Sequence, residues 1–536
     1  MQKLWILSFL VGSFFQLDAQ SRAVTFLGQK TYNTGINDVW GYVDTTSNKE
    51  YALVGVNDGL SIVDVTNPAT PTEEEFVSGP SSIWRDMKTW KHYAYTVHDF
   101  ISQGNEQGLL IVDLNTINSP TSLVTKTMQP SIPINGNMQT LDKAHNIFID
   151  ENGVLYVFGA DVGNGGAIMF DVDTDPMNPK FLGVFDNFYL HDGVARGDTL
   201  YGAAINRGFL ALIDVSNKSS SAVMATQSTP NNFAHNVWYS DDNTTAFTTD
   251  ERSGAYVTAY DVTDLSNITE TDRIKTSFGG NVIPHNTHYY QGFLVTSYYT
   301  SGLQIVDAHQ PDMLVETAYF DSSPFSGDGF GGAWGAYPWL PSGNILVSDR
   351  EQGLFILSST YPRASYLEIF VKDSSNGKPV INAQLDFVNA SLSGTSNLRG
   401  FYKDGQADTG IYRLAVRKGG FQPDTITVNM QAGKIFKDTI ALLPNGFNLS
   451  ENNISPLNIY PNPNKGVLQL ENLPEGEGTL YLEYTSITGA ILGRQEIETK
   501  VNAVTRVKHH LPKGVYIVTL KNHENRIVQR GKLVVE

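Results

Sequence analysis

Seven times along this chain a glycine opens a short apolar run that closes on one polar residue. The run first appears as Gly59-Leu60-Ser61-Ile62-Val63-Asp64. It returns over Gly108 to Asp113, Gly166 to Asp171, Gly208 to Asp214, Gly254 to Asp261 and Gly302 to Asp307. The last copy, Gly353 to Ser358, carries serine in place of the aspartate. The closing residues recur every roughly 43 to 58 positions, the period of β-propeller blades. A single unit of this size cannot bury its apolar faces alone, so the repeat commits the chain to a many-unit fold.

From about Arg22 to Pro362 the pattern is short alternating strands broken by Gly, Asn, Asp and Pro, with no helical period. Four strands per unit predict an all-β fold built as a seven-bladed β-propeller. The fifth unit serves as the template. Its innermost strand is Asn236 to Tyr239, followed by a turn at Asp241-Asp242-Asn243. Ala246 to Thr249, Tyr256 to Asp261 and Thr269 to Ile274 complete it. Each closing aspartate falls where the third strand turns, and its carboxylate is expected to bond backbone amides there. The seventh unit lacks a fourth strand, because Ser358 runs into Tyr361-Pro362-Arg363. Val24-Thr25-Phe26-Leu27-Gly28 is a strand with no unit of its own, similar to Pro179 to Gly183. These residues are expected to pair with Leu354 to Leu357, to bury Val24, Phe26 and Leu27, and to latch the ring. Closure of that kind removes an open sheet edge.

The 536 residues contain no cysteine. Disulfides, thiolate metal sites, thiol nucleophiles and a lipid-modified cysteine are therefore excluded. The formal net charge of −18, with no Lys/Arg-rich stretch, argues against a nucleic-acid partner. Lys3, the apolar run Leu4 to Phe15 and the small residue Ala19 form a secretory signal peptide over residues 1–19, with cleavage expected after Ala19. No later run is apolar for the roughly 18 residues a membrane span requires, so no transmembrane segment is expected in the mature protein.

After Arg363 the repeat stops. Leu367 to Val371, Gly377-Lys378-Pro379-Val380, Gly400-Phe401, Gly410 to Leu414 and Gly419-Gly420-Phe421 mark a second domain over 363–444. It resembles the carboxypeptidase-regulatory-like β-sandwiches of bacterial surface proteins, which implies a spacer. A polar linker is expected over 445–456. The final segment, 457–536, opens with Leu457-Asn458-Ile459-Tyr460-Pro461-Asn462-Pro463 and includes Gly514-Val515-Tyr516. It ends with Lys532-Leu533-Val534-Val535 before the last residue. It is similar to the type A C-terminal sorting domain of the type IX secretion system of Bacteroidota. That resemblance implies engagement of the type IX machinery, passage through the periplasm and outer membrane, removal of the domain, and release or attachment at the outer surface. The Ile-Val-Asp strands resemble the choice-of-anchor B family of LVIVD-repeat propellers over about 22–362, a family that implies no established reaction. The expected fold is thus a seven-bladed propeller followed by two small β-sandwich domains.

Four of the eleven histidines stand at one position of the repeat, just before the innermost strands of units three to six. They are His145, His191, His235 and His285. Units one, two and seven place Val39-Trp40, Trp84-Arg85-Asp86 and Ala333-Trp334 there. About 15 residues later the chain returns to the same face. It offers Asn57-Asp58, His98-Asp99, Asp161, Asn206-Arg207, Asp250-Glu251 and Asp349-Arg350-Glu351 there. Strand direction gathers these groups at one mouth of the central channel. Two readings follow. Imidazoles from several units could converge on a divalent metal such as Zn, Fe or Cu, with carboxylates beside them. Alternatively each histidine orders its own unit by bonding an aspartate at the second turn, pairing His145 with Asp161 and His235 with Asp250. Arg207 and Tyr299 fit that role poorly, so His191 and His285 are expected to face the mouth, free for a ligand.

Other signals point to structure. Asp171-Val172-Asp173-Thr174-Asp175 has alternating carboxylates but lacks the glycine and distal glutamate of a calcium loop. Gly163 to Gly166 and Gly327 to Gly332 open no helix, so phosphate binding is not expected. Trp84, Trp90, Trp238, Trp334, Tyr337 and Trp339 could floor a carbohydrate site but read more simply as propeller packing. No Gly-x-Ser-x-Gly elbow supports a hydrolase. The expected function is a secreted or cell-surface binding protein with an extracellular ligand or protein partner. The competing class is a metal-dependent enzyme. The candidate mouth is His145, His191, His235, His285, Asp161, Arg207, Asp250, Glu251, Asp349 and Arg350.

Overall fold

The computed structural model describes residues 20–99, 107–119, 122–390, 392–445, 454–474, 479–498 and 504–536. The expected signal peptide and residues 446–453 of the expected linker lie outside the described residues. The described chain divides into two compact units, Met1–Leu443 and Pro444–Glu536.

In the first unit, seven antiparallel sheets follow the seven sequence copies in order. Sheet one runs Ile36–Asp44, Lys49–Val56, Gly59–Asp64 and Thr72–Ser78. The first strands of sheets two to seven are Trp84–Trp90, Asn146–Ile149, Asp192–Arg196, Ala234–Tyr239, Thr287–Tyr290 and Ala333–Tyr337. Each first strand contacts the first strand of the next sheet, and the seventh contacts the first. The ring is therefore closed around first strands, which is a β-propeller. Among the described residues the one helical element is a 3-10 turn at Leu114–Thr116. No helix among the described residues is long and apolar enough to cross a membrane.

Burial explains the repeat. Neighbouring sheets cover both faces of each third strand, so Leu60, Ile62 and Val63 are all fully buried, as are Leu210, Ala211 and Ile213. A strand buried on both faces reads as a continuous apolar run. The fourth strand lies at the rim, and every residue of Thr72–Ser78 is half-buried or exposed. At the turn after the third strand, Asp64, Asp113, Asp171, Asp214, Asp261 and Asp307 each accept a bond from the backbone N–H two residues on, at 2.9 to 3.1 Å.

The N-terminal strand Val24–Lys30 is the fourth strand of sheet seven, pairing Val24 with Ser359, Phe26 with Leu357 and Lys30 with Leu354. Val24 is buried and Leu27 packs against the core. The expectation for Phe26 is corrected, since its side chain is 49% exposed. A bulge between Phe26 and Gly28 shifts the register there, and a bulge re-aims side chains. The Phe26 ring lies on the rim, stacked 6.3 Å from Phe320. Gly28 is required, because a Cβ there would sit 1.8 Å from the Pro68 carbonyl oxygen. Ahead of it, Ser21–Arg22 adds a fifth strand to sheet six, opposite Tyr319 and Phe320. The N-terminus thus stitches two sheets.

Besides a two-stranded hairpin, Ser131–Ile134 with Asn137–Thr140, two further sheets complete the first unit. Ser365–Asp373 lies between Phe401–Gln406 and Ile435–Leu442, and the second sheet orders Ser393–Thr395, Gln384–Phe387, Gly410–Arg417 and Asp424–Met430. Leu367, Ile369 and Val371 of one share a core with Leu385, Leu414 and Val428 of the other. The junction to the propeller is held by Asp307, whose Oδ2 accepts from the Ala364 N–H at 2.8 Å and the Arg363 Nε at 2.9 Å.

The second unit has a five-stranded and a three-stranded sheet around Leu468, Leu470, Leu482, Val518, Leu520 and Leu533. Its first strand, Ser455–Pro456, pairs with Gln529–Arg530. The expected linker is therefore too long by its last two residues, which belong to a sheet.

Candidate functional site

The histidines stand side by side at the channel mouth. Ring centroids lie 4.1 Å apart for His145 and His191, 4.3 Å for His191 and His235, and 4.5 Å for His235 and His285. Trp84 of sheet two continues the row beside His145, and Trp334 of sheet seven continues it beside His285. Successive ring planes are tilted by 49°, 51°, 47°, 48° and 47° from Trp84 round to Trp334. A seven-fold ring rotates each sheet by about 51° from the last, so one side-chain conformation is repeated by the fold itself. The consequence decides between arrangements. The rings form a crescent in which neighbours touch, and among the described residues no three histidines offer ligand atoms that all lie within 4.8 Å of one another.

Above the crescent is a cavity of about 360 Å³, floored by the four imidazoles and walled by Ile83, Trp84, Phe330 and Trp334, with Glu251, Tyr299 and Arg350 supplying polar groups. Below it is a cavity of about 20 Å³ reaching Asp38, Arg85, Asp86, Asn146, Asp192 and Asn286. That space suffices for about one water. Beneath, the first strands are tied across sheets. Asp86 accepts Lys88 Nζ at 2.5 Å and the Ile147 N–H at 2.7 Å, and Asn236 donates to Asp192 at 2.8 Å while accepting the Thr287 N–H at 2.9 Å.

The expected pairings do not form. His145 Nδ1 lies 3.2 Å from Asp99 of the preceding sheet, not against Asp161. Asp161 accepts instead from the Asp142 and Lys143 N–H groups. Asp250 is taken by the Asn231 and Phe233 N–H groups, at 2.7 and 3.3 Å. His235 Nε2 lies 3.7 Å from Glu251 Oε2, and His285 Nε2 lies 3.8 Å from Glu251 Oε1. Tyr299 donates its hydroxyl to Glu251 Oε1. His285 is not free either, for its Nδ1 bonds the Trp334 carbonyl at 2.5 Å. A carbonyl only accepts, so the proton of that imidazole is on Nδ1 and Nε2 presents a lone pair.

Of the remaining candidates, Arg350 lines the mouth, with its guanidinium 5.2 Å over the Trp334 ring and Nη1 donating to the Phe330 carbonyl. Asp349 is buried outside the cavity and bonds Ser322 Oγ and the Gln352 N–H. Arg207 is exposed over Phe188. The structure therefore gathers the four histidines, Glu251 and Arg350, and sends Asp161, Asp250, Asp349 and Arg207 to structural or surface roles. Ile83, Phe330 and the donor role of Tyr299 were missed. The signal for Phe330 was the position of its glycine-rich loop, directly before the seventh innermost strand. Of the aromatics, Trp84 and Trp334 face this mouth, whereas Trp238, Tyr337 and Trp339 cluster with Trp40 and His288.

Burial sets the electrostatics. It holds His191 and His285 well below the usual imidazole range, aided by repulsion from neighbouring histidines. It also lowers His235, against the pull of Glu251. The carbonyls of His235 and His285 favour protonation of His191 and His235, although neither Nδ1 closes a hydrogen bond among the described residues. Burial and Glu251 push the Tyr299 hydroxyl well up. Burial thus favours the neutral imidazole at His191, His235 and His285.

LVIVD repeats match at residues 48–78 and 196–229, and a secretion system C-terminal sorting domain matches at residues 458–536. No curated protein matches the chain. Among solved structures, the β-propeller domain of Myceliophteria thermophila Cps50 (Swd1) is 10% identical, with a TM-score of 0.43, covering 63% of this chain and 99% of that one. The chain is a β-propeller protein with LVIVD repeats that carries a type IX sorting domain, and that domain directs export to the cell surface or the extracellular space.

Proposed function

We propose that this is an exported binding protein whose propeller captures a small organic ligand in the histidine-floored mouth. One observation carries the reading. The cavity of about 360 Å³ has the size, the aromatic walls and the few convergent polar groups of a small-molecule pocket. Trp84, Trp334 and Phe330 offer apolar faces, while Arg350, the Tyr299–Glu251 pair and the imidazole nitrogens orient a polar end. Residues 363–444 then act as a spacer, and removal of residues 1–19 precedes the periplasmic step of export. The mature chain works outside the cell, released or attached.

Saturation-transfer NMR with a library of small-molecule fragments on the purified protein tests the pocket. Hits should be lost or weakened in Trp334→Ala and in Arg350→Ala, the second of which leaves the buried core intact. Fragments that bind both variants as well as the parent would refute the reading. The competing class, a metal-dependent enzyme, is favoured by a separate observation, the convergence of His235, Glu251 and His285.

A further inference from the structure

We propose that His235, Glu251 and His285 hold one divalent first-row transition-metal ion at the floor of the mouth. The proposal rests on the reading of that mouth as a binding site and names its ligand class. Among the described residues this trio is the one group of three or more histidine or acidic side chains whose ligand atoms all lie within 4.8 Å of one another. Bonds of about 2.0–2.2 Å limit two ligands of one ion to at most about 4.4 Å apart. The two histidine–glutamate separations, 3.7 and 3.8 Å, already satisfy that limit.

Proton placement makes the cluster more than an ion pair. The bond from His285 Nδ1 to the Trp334 carbonyl leaves the Nε2 lone pair aimed at Glu251. Both histidines are buried. A lone pair and a carboxylate that face each other repel unless a cation lies between them. The outer partners match those of a metal site. A carbonyl fixes the far nitrogen of one histidine, and Tyr299 holds the carboxylate. Imidazole with carboxylate suits zinc, iron, manganese or cobalt rather than the soft thiophilic ions. Three protein ligands leave coordination positions open to the cavity, the pattern of an exchangeable rather than a closed structural site. The four-histidine centre that the sequence suggests is replaced by a site of two histidines and one glutamate, the group whose ligand atoms converge among the described residues.

The test strips the purified protein with EDTA and titrates it with cobalt(II), zinc(II) and manganese(II) chloride. Calorimetry gives affinity, and mass spectrometry after gel filtration gives metal content. One ion per chain is expected, with a cobalt absorption band. His285→Ala and Glu251→Gln should each lower affinity at least about tenfold and remove that band. His523→Ala, in the other unit, should leave both unchanged. Glu251→Gln keeps the side chain's size, so near-UV circular dichroism identical to the parent assigns a loss to the ligand set. Binding that persists in both site variants, or is absent from the parent, overturns the proposal. Repeating the fragment experiment on stripped protein separates the two readings. Fragments bound without any metal binding sink the metal alone, and metal bound without fragments sinks the organic pocket alone.

Discussion

Two circles of side chains run round this propeller, each using one position per repeat, and they obey different rules. At the outer turns, six aspartates make the same bond, each to the backbone N–H two residues on. At the channel mouth, four histidines share a geometry but no common partner. His145 meets Asp99, His285 meets the Trp334 carbonyl, and His235 shares Glu251 with His285. The rim is local and the mouth is assembled from neighbouring sheets. Solvent sharpens the contrast. Hydrogen bonds from Thr174, Ser216 and Thr263 first, and backbone amides next, pull the rim carboxylates of Asp171, Asp214 and Asp261 down. Burial pushes Asp192, below the histidines, up to about 7. Repetition of a residue therefore does not imply repetition of its chemistry. What repeats is the backbone position, and the neighbours decide the rest.

The contact within the ring that matters most for the fold is the N-terminal latch, and breaking it should have the largest effect. Deleting residues 20–30 exposes the strand Gly353–Ser359 along its whole edge and removes the packing of Val24 and Leu27 on the core. Side-chain burial alone is worth roughly 1.5 to 3 kcal/mol for each fully buried apolar residue. The urea midpoint should fall sharply, with increased aggregation from the open edge. An unchanged midpoint would mean that the ring closes without its fourth strand.

Asp307 belongs to both circles of logic at once, which makes it the next test. One oxygen makes the rim bond to the His309 N–H, and the other holds Ala364 and Arg363 at the junction with the following sandwich. Its side chain is fully buried. Asp307→Ala should cost roughly 2 to 4 kcal/mol, since charged, buried bonds are lost and Arg363 loses its partner. Hydrogen–deuterium exchange at the Ala364 amide should rise with it. Burial opposes ionisation of Asp307, but the Ala364, His309 and Arg363 bonds outweigh it and leave the group below its ordinary value. A lowered acid stabilises above the unfolded value of about 3.9 and loses that contribution as pH falls further. The difference between parent and variant should therefore shrink on acidification below about pH 4.

The same division explains what the sequence reveals. The rim aspartates were legible because their partner is two residues away, and the latch because a strand without a sheet faced a sheet without a strand. Phe26 was misread because a bulge interrupts the alternation that predicts burial. The histidine pairings failed for a different reason. The spacing of about 15 residues within a unit offered Asp161 and Asp250, but both are consumed by amides of the loops before their own first strands. The true partners of His145 and His285 lie one sheet away, while His235 meets Glu251 of its own sheet, the residue after the aspartate that the spacing offered. No spacing within a repeat encodes which neighbour will face the mouth. Tyr299 and Glu251 were both noted, yet their bond crosses from sheet five to the loop after Phe293–Ser297 and required the ring to be closed.

Asp192 tests the solvent half of the comparison. Its carboxyl, raised to about 7 by burial, favours the protonated form in the folded state. The sign follows. The stability from this raised acid is full below the unfolded value of about 3.9 and is lost as pH rises through about 7. Urea unfolding at a series of pH values should show Asp192→Asn gaining on the parent as pH rises across that window. A constant difference between the two would place Asp192 with the rim carboxylates and remove the contrast.

The smallest effect is expected at a rim aspartate with no second role. Asp261 accepts the Thr263 N–H at 2.9 Å and the Thr263 hydroxyl at 2.6 Å, in an exposed turn. Removing a solvent-exposed turn bond of this kind costs about 1 kcal/mol or less, because water replaces what the amide loses. Asp261→Ala should thus leave the urea midpoint nearly unchanged, with cobalt binding and fragment binding at the mouth untouched. The seventh repeat has already made a related substitution, placing Ser358 where the others carry aspartate. Ser358 sits inside the latch pairing, opposite Thr25, so strand pairing holds that position without the aspartate. If Asp261→Ala instead destabilised the protein as much as Asp307→Ala, the rim bonds would be carrying the ring. The distinction between a local outer circle and an assembled inner one would then fail.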